Sequence, residues 1–132
     1  MTGNIAAALP LQFLTQRPRE DGCGAVTVQM LTGKAYDELI PLFGWQGEEL
    51  RRTDWTNLRQ VLTSLHWQLG DITPVSSWDE INELAIVHVR DDHFMLYDGR
   101  SRLFYDPWEW EGPQQTSSRV PMTFAKVAPP AA

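Results

Sequence analysis

Two spacings of apolar residues divide the chain, and one gives way to the other near residue 85. Upstream, apolar side chains recur at helical intervals. Leu58, Val61, Leu62 and Leu65 form one stripe that Thr53 or Asp54 can cap, which predicts a helix ending near His66-Trp67. Tyr36, Leu39 and Ile40 share a face over residues 36–40, and Pro41 is expected to end that helix. Residues 23–32 are ambiguous locally. The β-branched Val26, Thr27 and Val28 favour a strand, whereas Gly22 and Gly33 bracket the segment like a helix start and stop; the brackets favour a helix. Ser77 or Asp79 opens a further short helix through Leu84. Downstream the period becomes two. Residues 85–89, 93–97 and 102–106 read as strands, turned at Asp91-Asp92 and at the hairpin signal Asp98-Gly99-Arg100-Ser101. Helices first and an antiparallel sheet afterwards make an α+β fold.

The hairpin carries a geometric consequence. A two-residue loop pairs Asp98 with Ser101, and a four-residue loop pairs Tyr97 with Arg102. Either register places His93 directly opposite Asp106, on one sheet face with Cβ atoms about 5 Å apart. A carboxylate there accepts a hydrogen bond from one ring nitrogen and leaves the other free as a base.

Composition narrows the class. A chain of 132 residues with 42% apolar and 21% charged residues is the size and make-up of one globular domain, residues 1–132. Residues 1–11 are expected to be a lead-in, and 126–132, with Pro129 and Pro130, a flexible tail. A net charge of -6 without a basic cluster beyond Arg51-Arg52 argues against nucleic acid as a partner. The apolar runs are too short for a membrane span and the N-terminus lacks an export-type core, so cytoplasmic residence is expected. Secretion as an effector by a dedicated machine would need no such signal.

The chain has a single cysteine, Cys23, between Gly22 and Gly24, which excludes an internal disulfide and an all-cysteine zinc site. At a helix start, unpaired amides and the macrodipole favour its thiolate. Together, Cys23, His93 and Asp106 supply nucleophile, base and orienter for acyl transfer. Periodicity alone does not bring Cys23 to His93. Composition alone favours an inert core cysteine. His88 reads as a satisfied sheet histidine, His66 as a helix C-terminal cap, and Asp106-Pro107 alone reads equally as a strand end. Trp108 and Trp110 read as packing residues among six tryptophans, and Glu48-Glu49 with Arg51-Arg52 as a solvated surface.

The order Gln16, then Asp21-Gly22-Cys23-Gly24, then His93-Phe94-Met95-Leu96-Tyr97-Asp98-Gly99, then Phe104-Tyr105-Asp106-Pro107-Trp108 resembles the papain-like cysteine peptidases. Within them it is most similar to the compact bacterial group of double-glycine leader peptidases of bacteriocin export, over residues 12–110. The resemblance implies a papain-like fold, with N-terminal helices packed on a C-terminal antiparallel sheet. It also implies Cys23 as nucleophile, His93 as base, Asp106 as orienter and Gln16 as an oxyanion donor beside the Cys23 amide. Gly22 sets Gln16 one residue further upstream than in the family pattern.

The expected activity is hydrolysis of a peptide or isopeptide amide through an acyl-thioester, on a peptide or protein substrate, with no metal or organic cofactor. Deamidation, acyl transfer and cell-wall amide hydrolysis use the same three residues. A non-catalytic protein-binding module on the same scaffold is the alternative from another class.

Overall fold

The computed structural model describes residues 23–43, 54–108 and 112–130. Three helices come first: α1 (Cys23–Thr32), α2 (Tyr36–Phe43) and α3 (Trp55–Ser64). Strands β1 (Gln68–Leu69) and β2 (Thr73–Pro74) follow, then a 3-10 turn (Trp78–Glu80), β3 (Leu84–Val89), β4 (His93–Asp98), β5 (Leu103–Tyr105) and β6 (Pro121–Ala128). The sheet runs β1-β6-β3-β4-β5, with β2 also on β6, and every pairing is antiparallel.

β3 and β4 sit at its centre, buried on both faces. Leu84, Ile86, Phe94 and Leu96 pack with the helices, and Ala85, Val87, Met95 and Tyr97 pack with Val75, Ile81 and Phe104 on the other side. This alternation with period two is what lets one strand serve two apolar layers.

α1 resolves the local ambiguity in favour of the helix. Residues 24–28, Met30 and Leu31 are all buried, so the segment is covered around its whole circumference. Tertiary burial outweighs the few tenths of a kcal/mol by which β-branched residues disfavour a helix. Gly33 stops it in the left-handed region, with φ 76° and its N–H on the Gln29 carbonyl at 2.9 Å.

Pro41 does not end α2, which continues to Phe43. The proline lies in the last turn with its ring exposed, and the buried Phe43 behind it offsets the lost hydrogen bond. α3 matches its expected start. Asp54 accepts from the Asn57 N–H at 2.8 Å while the Asn57 side chain takes the Asp54 N–H at 3.2 Å, a capping box.

At the other end His66 occupies the left-handed region (φ 65°), and the Trp67 and His66 amides bond the Leu62 and Thr63 carbonyls. This is the Schellman arrangement, normally built on glycine. His66→Gly should therefore stabilise the protein by about 1 kcal/mol, raising the midpoint of urea unfolding.

Two further expectations are corrected. The helix expected from Ser77 or Asp79 to Leu84 is only the 3-10 turn, capped by Ser77, because Ile81 is already extended and buried beneath the sheet. The tail expected from residue 126 begins later. Lys126, Val127 and Ala128 belong to β6, held between β3 and β1. Among the described residues no helix is long and apolar enough to cross a membrane.

Candidate active site

β4 begins at His93, and its whole length is buried. Its hairpin with β5 has a register two residues away from the expected one. Asp98 pairs with Leu103, Tyr97 with Phe104 and Leu96 with Tyr105, leaving Gly99 to Arg102 as the loop. The reason lies in the turn. Asp98 accepts the backbone N–H and guanidinium of Arg100 on its carboxylate and the Arg102 N–H on its carbonyl, while Arg102 adopts φ 60°. Burial alone would raise the Asp98 pKa, but the Arg100 hydrogen bonds outweigh it and hold the carboxyl below its ordinary value.

A shift of two preserves the sheet face. His93 and Asp106 therefore still meet, along a diagonal just beyond the end of β5. His93 Nε2 lies 2.7 Å from Asp106 Oδ1, with the imidazole fully buried and Asp106 only 3% exposed. Asp106 Oδ1 also accepts the Trp108 N–H at 3.0 Å, and Oδ2 accepts Arg119 Nε at 2.9 Å.

Burial would push the Asp106 carboxyl up, but the hydrogen bonds from His93, Trp108 and Arg119 outweigh it and lower its pKa to about 2. An ionised carboxylate only accepts, so His93 Nε2 carries the hydrogen. In the neutral ring Nδ1 is then the bare nitrogen. It is buried and has no hydrogen-bond partner among the described residues. Such an orphan costs about 1–3 kcal/mol, which marks it as a group kept for a purpose.

Because the folded-state pKa of Asp106 lies below its ordinary 3.8, ionisation favours the fold. That stability, on the order of 2 kcal/mol, is complete above about pH 5 and is lost as pH falls from about 4 through 2. Urea unfolding at pH 6 and pH 2.5 should show the wild type losing about 2 kcal/mol more than Asp106→Asn.

Cys23 is the first residue of α1, and the structure describes its backbone. One turn further on, Thr27 Oγ1 donates to the carbonyl of Phe94 at 3.4 Å, so the first turns of α1 rest against the start of β4 beside His93. Gln16 and Trp110 lie outside the described residues. His88 is occupied elsewhere, its Nε2 3.0 Å from Asp92 Oδ1.

Two neighbours of the pair were not expected there. Trp108, read as a packing residue, is 49% exposed and lies against the His93 ring with centroids 4.4 Å apart. Arg119 comes from a stretch, Ser117-Ser118-Arg119, with no periodic signal, and only the return of the chain toward β6 brings it to Asp106. A cleft of 360 Å³ is lined by Asp71, Glu80, Glu83 and Lys126 and by none of the candidate catalytic residues. Among the described residues no three His, Cys, Asp or Glu side chains group as a metal site.

One solved structure to which the chain is similar is that of a double-glycine motif protease from an AMS/PCAT transporter in complex with the leader peptide. The likeness covers 90% of this chain and 91% of that one, at 13% sequence identity and a TM-score of 0.67. The fold is papain-like. No protein-family model matches the chain, and no curated protein sequence does. At this identity the likeness concerns the fold, and chemistry is argued from the residues.

Proposed function

We propose that the chain is a thiol amidohydrolase of the peptidase type, with Cys23 as nucleophile, His93 as base and Asp106 as orienter. The observation that carries this reading is the buried Nδ1 of His93, which has no hydrogen-bond partner among the described residues, on a ring whose Nε2 lies 2.7 Å from the Asp106 carboxylate. A general base needs such a nitrogen. The position of Cys23 at the first residue of a ten-residue helix supports it further, since the helix N-terminus favours a thiolate.

In this reading Nδ1 takes the thiol proton and the sulfur adds to the amide carbonyl carbon. The tetrahedral oxyanion is held by the Cys23 N–H and the side-chain amide of Gln16. Collapse breaks the C–N bond, and the departing amine takes the proton from Nδ1. Water, deprotonated by Nδ1, then adds to the thioester, and the thiolate leaves with the acid as product. A peptide substrate is the fitting class, because the structural neighbour was solved with a peptide bound.

The test is a peptide library incubated with the wild type and with Cys23→Ala, read by mass spectrometry. New peptide termini in the wild type alone support the reading. A gain of about 1 Da at glutamine marks deamidation and incorporation of an added amine marks transfer. Retention of peptides without any change in mass contradicts catalysis and leaves a binding module.

A further inference from the structure

We propose that Arg119 is a positioning residue of this site, clamping Asp106 in the rotamer from which Oδ1 receives the His93 Nε2–H. The inference rests on the catalytic reading above and adds a further side chain to it.

Arg119 makes two contacts at once. Its Nε donates to Asp106 Oδ2 at 2.9 Å, and its guanidinium lies over the Trp108 ring, 4.7 Å from the centroid. Trp108 in turn packs on His93, and its N–H bonds Asp106 Oδ1. The four side chains thus close a ring in which each is held by two others. Only a planar cation can bond edge-on to a carboxylate while stacking face-on to an indole.

The backbone that carries Arg119 is itself fixed. Its carbonyl accepts Trp78 Nε1 at 3.0 Å, its N–H donates to Ser117 Oγ at 3.1 Å, and the next carbonyl, of Val120, accepts the Arg90 N–H at 2.9 Å. A side chain on so firm a mount can impose a rotamer on its partner.

Oδ1 has two donors, so Asp106 would keep one side anchored without Arg119. Oδ2, however, accepts only from Arg119 among the described residues. A cleft of 270 Å³ borders both Asp106 and Arg119. In Arg119→Gln water entering there would hydrate Oδ2 and draw the carboxylate out of line with His93. The imidazole proton would then no longer be confined to Nε2, and part of the population would carry it on Nδ1, where it blocks the base.

The test reads the tautomer directly, by ¹⁵N NMR of the imidazoles at pH 8 in a Cys23→Ala background, where no thiolate holds a second proton on the ring; with three histidines in the chain, assignment is simple. With Arg119 in place His93 should be protonated on Nε2 alone, and Arg119→Gln should show a mixture. With Cys23 present, Arg119→Gln should alkylate with iodoacetamide about threefold more slowly at pH 6, while Arg119→Lys should fall between Arg119→Gln and the wild type on both readouts. If Arg119→Gln does not fold, Arg119→Lys carries the test, since an ammonium lacks the rigid planar fork whose edge meets Oδ2 while the guanidinium lies over Trp108. A wild-type tautomer and rate in the folded variants would overturn the proposal. Asp106→Ala separates the two levels: a changed nitrogen pattern there with an unchanged one in Arg119→Gln removes only the role of Arg119. No change in either removes the His93–Asp106 reading as well.

Discussion

Asp106→Ala is expected to lower stability by about 2–3 kcal/mol and to reduce amide turnover at least 100-fold. Removing this one carboxylate takes the acceptor from three donors, His93 Nε2, the Trp108 N–H and Arg119 Nε. His93 Nε2 is fully buried, so its loss is felt in full, whereas the Arg119 side chain is 21% exposed and can partly rehydrate. For that reason the expected cost lies below the 3–5 kcal/mol typical of breaking a fully buried ion pair. Turnover falls further than stability because the freed imidazole can place its proton on Nδ1. Urea denaturation gives the first quantity, and cleavage of any peptide hit from the library gives the second. A variant as stable and as active as the wild type would show that the carboxylate neither holds nor orients His93.

Gly99→Ala, in the β4–β5 loop, should be strongly destabilising. A Cβ at this position would overlap the Ile81 carbonyl oxygen and stand 2.9 Å from backbone atoms of Asn82 and Glu83. These are backbone atoms, which cannot swing away as a side-chain end can. The Gly99 N–H also bonds the Glu83 carbonyl at 3.1 Å, so the loop is held against the approach to β3. Overpacking of this kind costs about 1–3 kcal/mol, and the rigid surroundings place the expected loss at the upper end. A melting temperature lowered by roughly 10 °C is the expected readout. The strain is local to the β4–β5 loop, so it should also broaden the NMR signals of Asp98 and Leu103 before those of α3.

The sequence pattern anticipated some elements and missed others for identifiable reasons. α3 and the central strands announce themselves because each buries one face or a continuous run, which leaves a period in the sequence. β6 leaves almost none. Pro121, Thr123, Ala125 and Lys126 carry little apolar weight, and the strand is defined by neighbours on both sides rather than by its own residues. β1 and β2, two residues each, exist only because β6 offers a partner.

At the site, the expected direct opposition of His93 and Asp106 does not form, because the hairpin register differs by two. A shift of two keeps both residues on one sheet face, so their side chains meet along a diagonal instead. The shift itself depended on Asp98 gathering donors from Arg100 and Arg102, a side-chain effect that a turn motif does not display. Arg119 was not deducible: thirteen residues separate it from Asp106, and no pattern links them.

The central claim is that His93 acts on Cys23, and the rate of alkylation of Cys23 by iodoacetamide at pH 6 tests it most directly. An ordinary thiol is about 0.3% ionised at that pH. Full ionisation by an imidazole partner raises the reactive fraction about 300-fold, and the lower basicity of such a thiolate takes back about 20-fold. The wild type should therefore react about 15-fold faster than His93→Ala. Equal rates in the two proteins would contradict the account and separate Cys23 from His93.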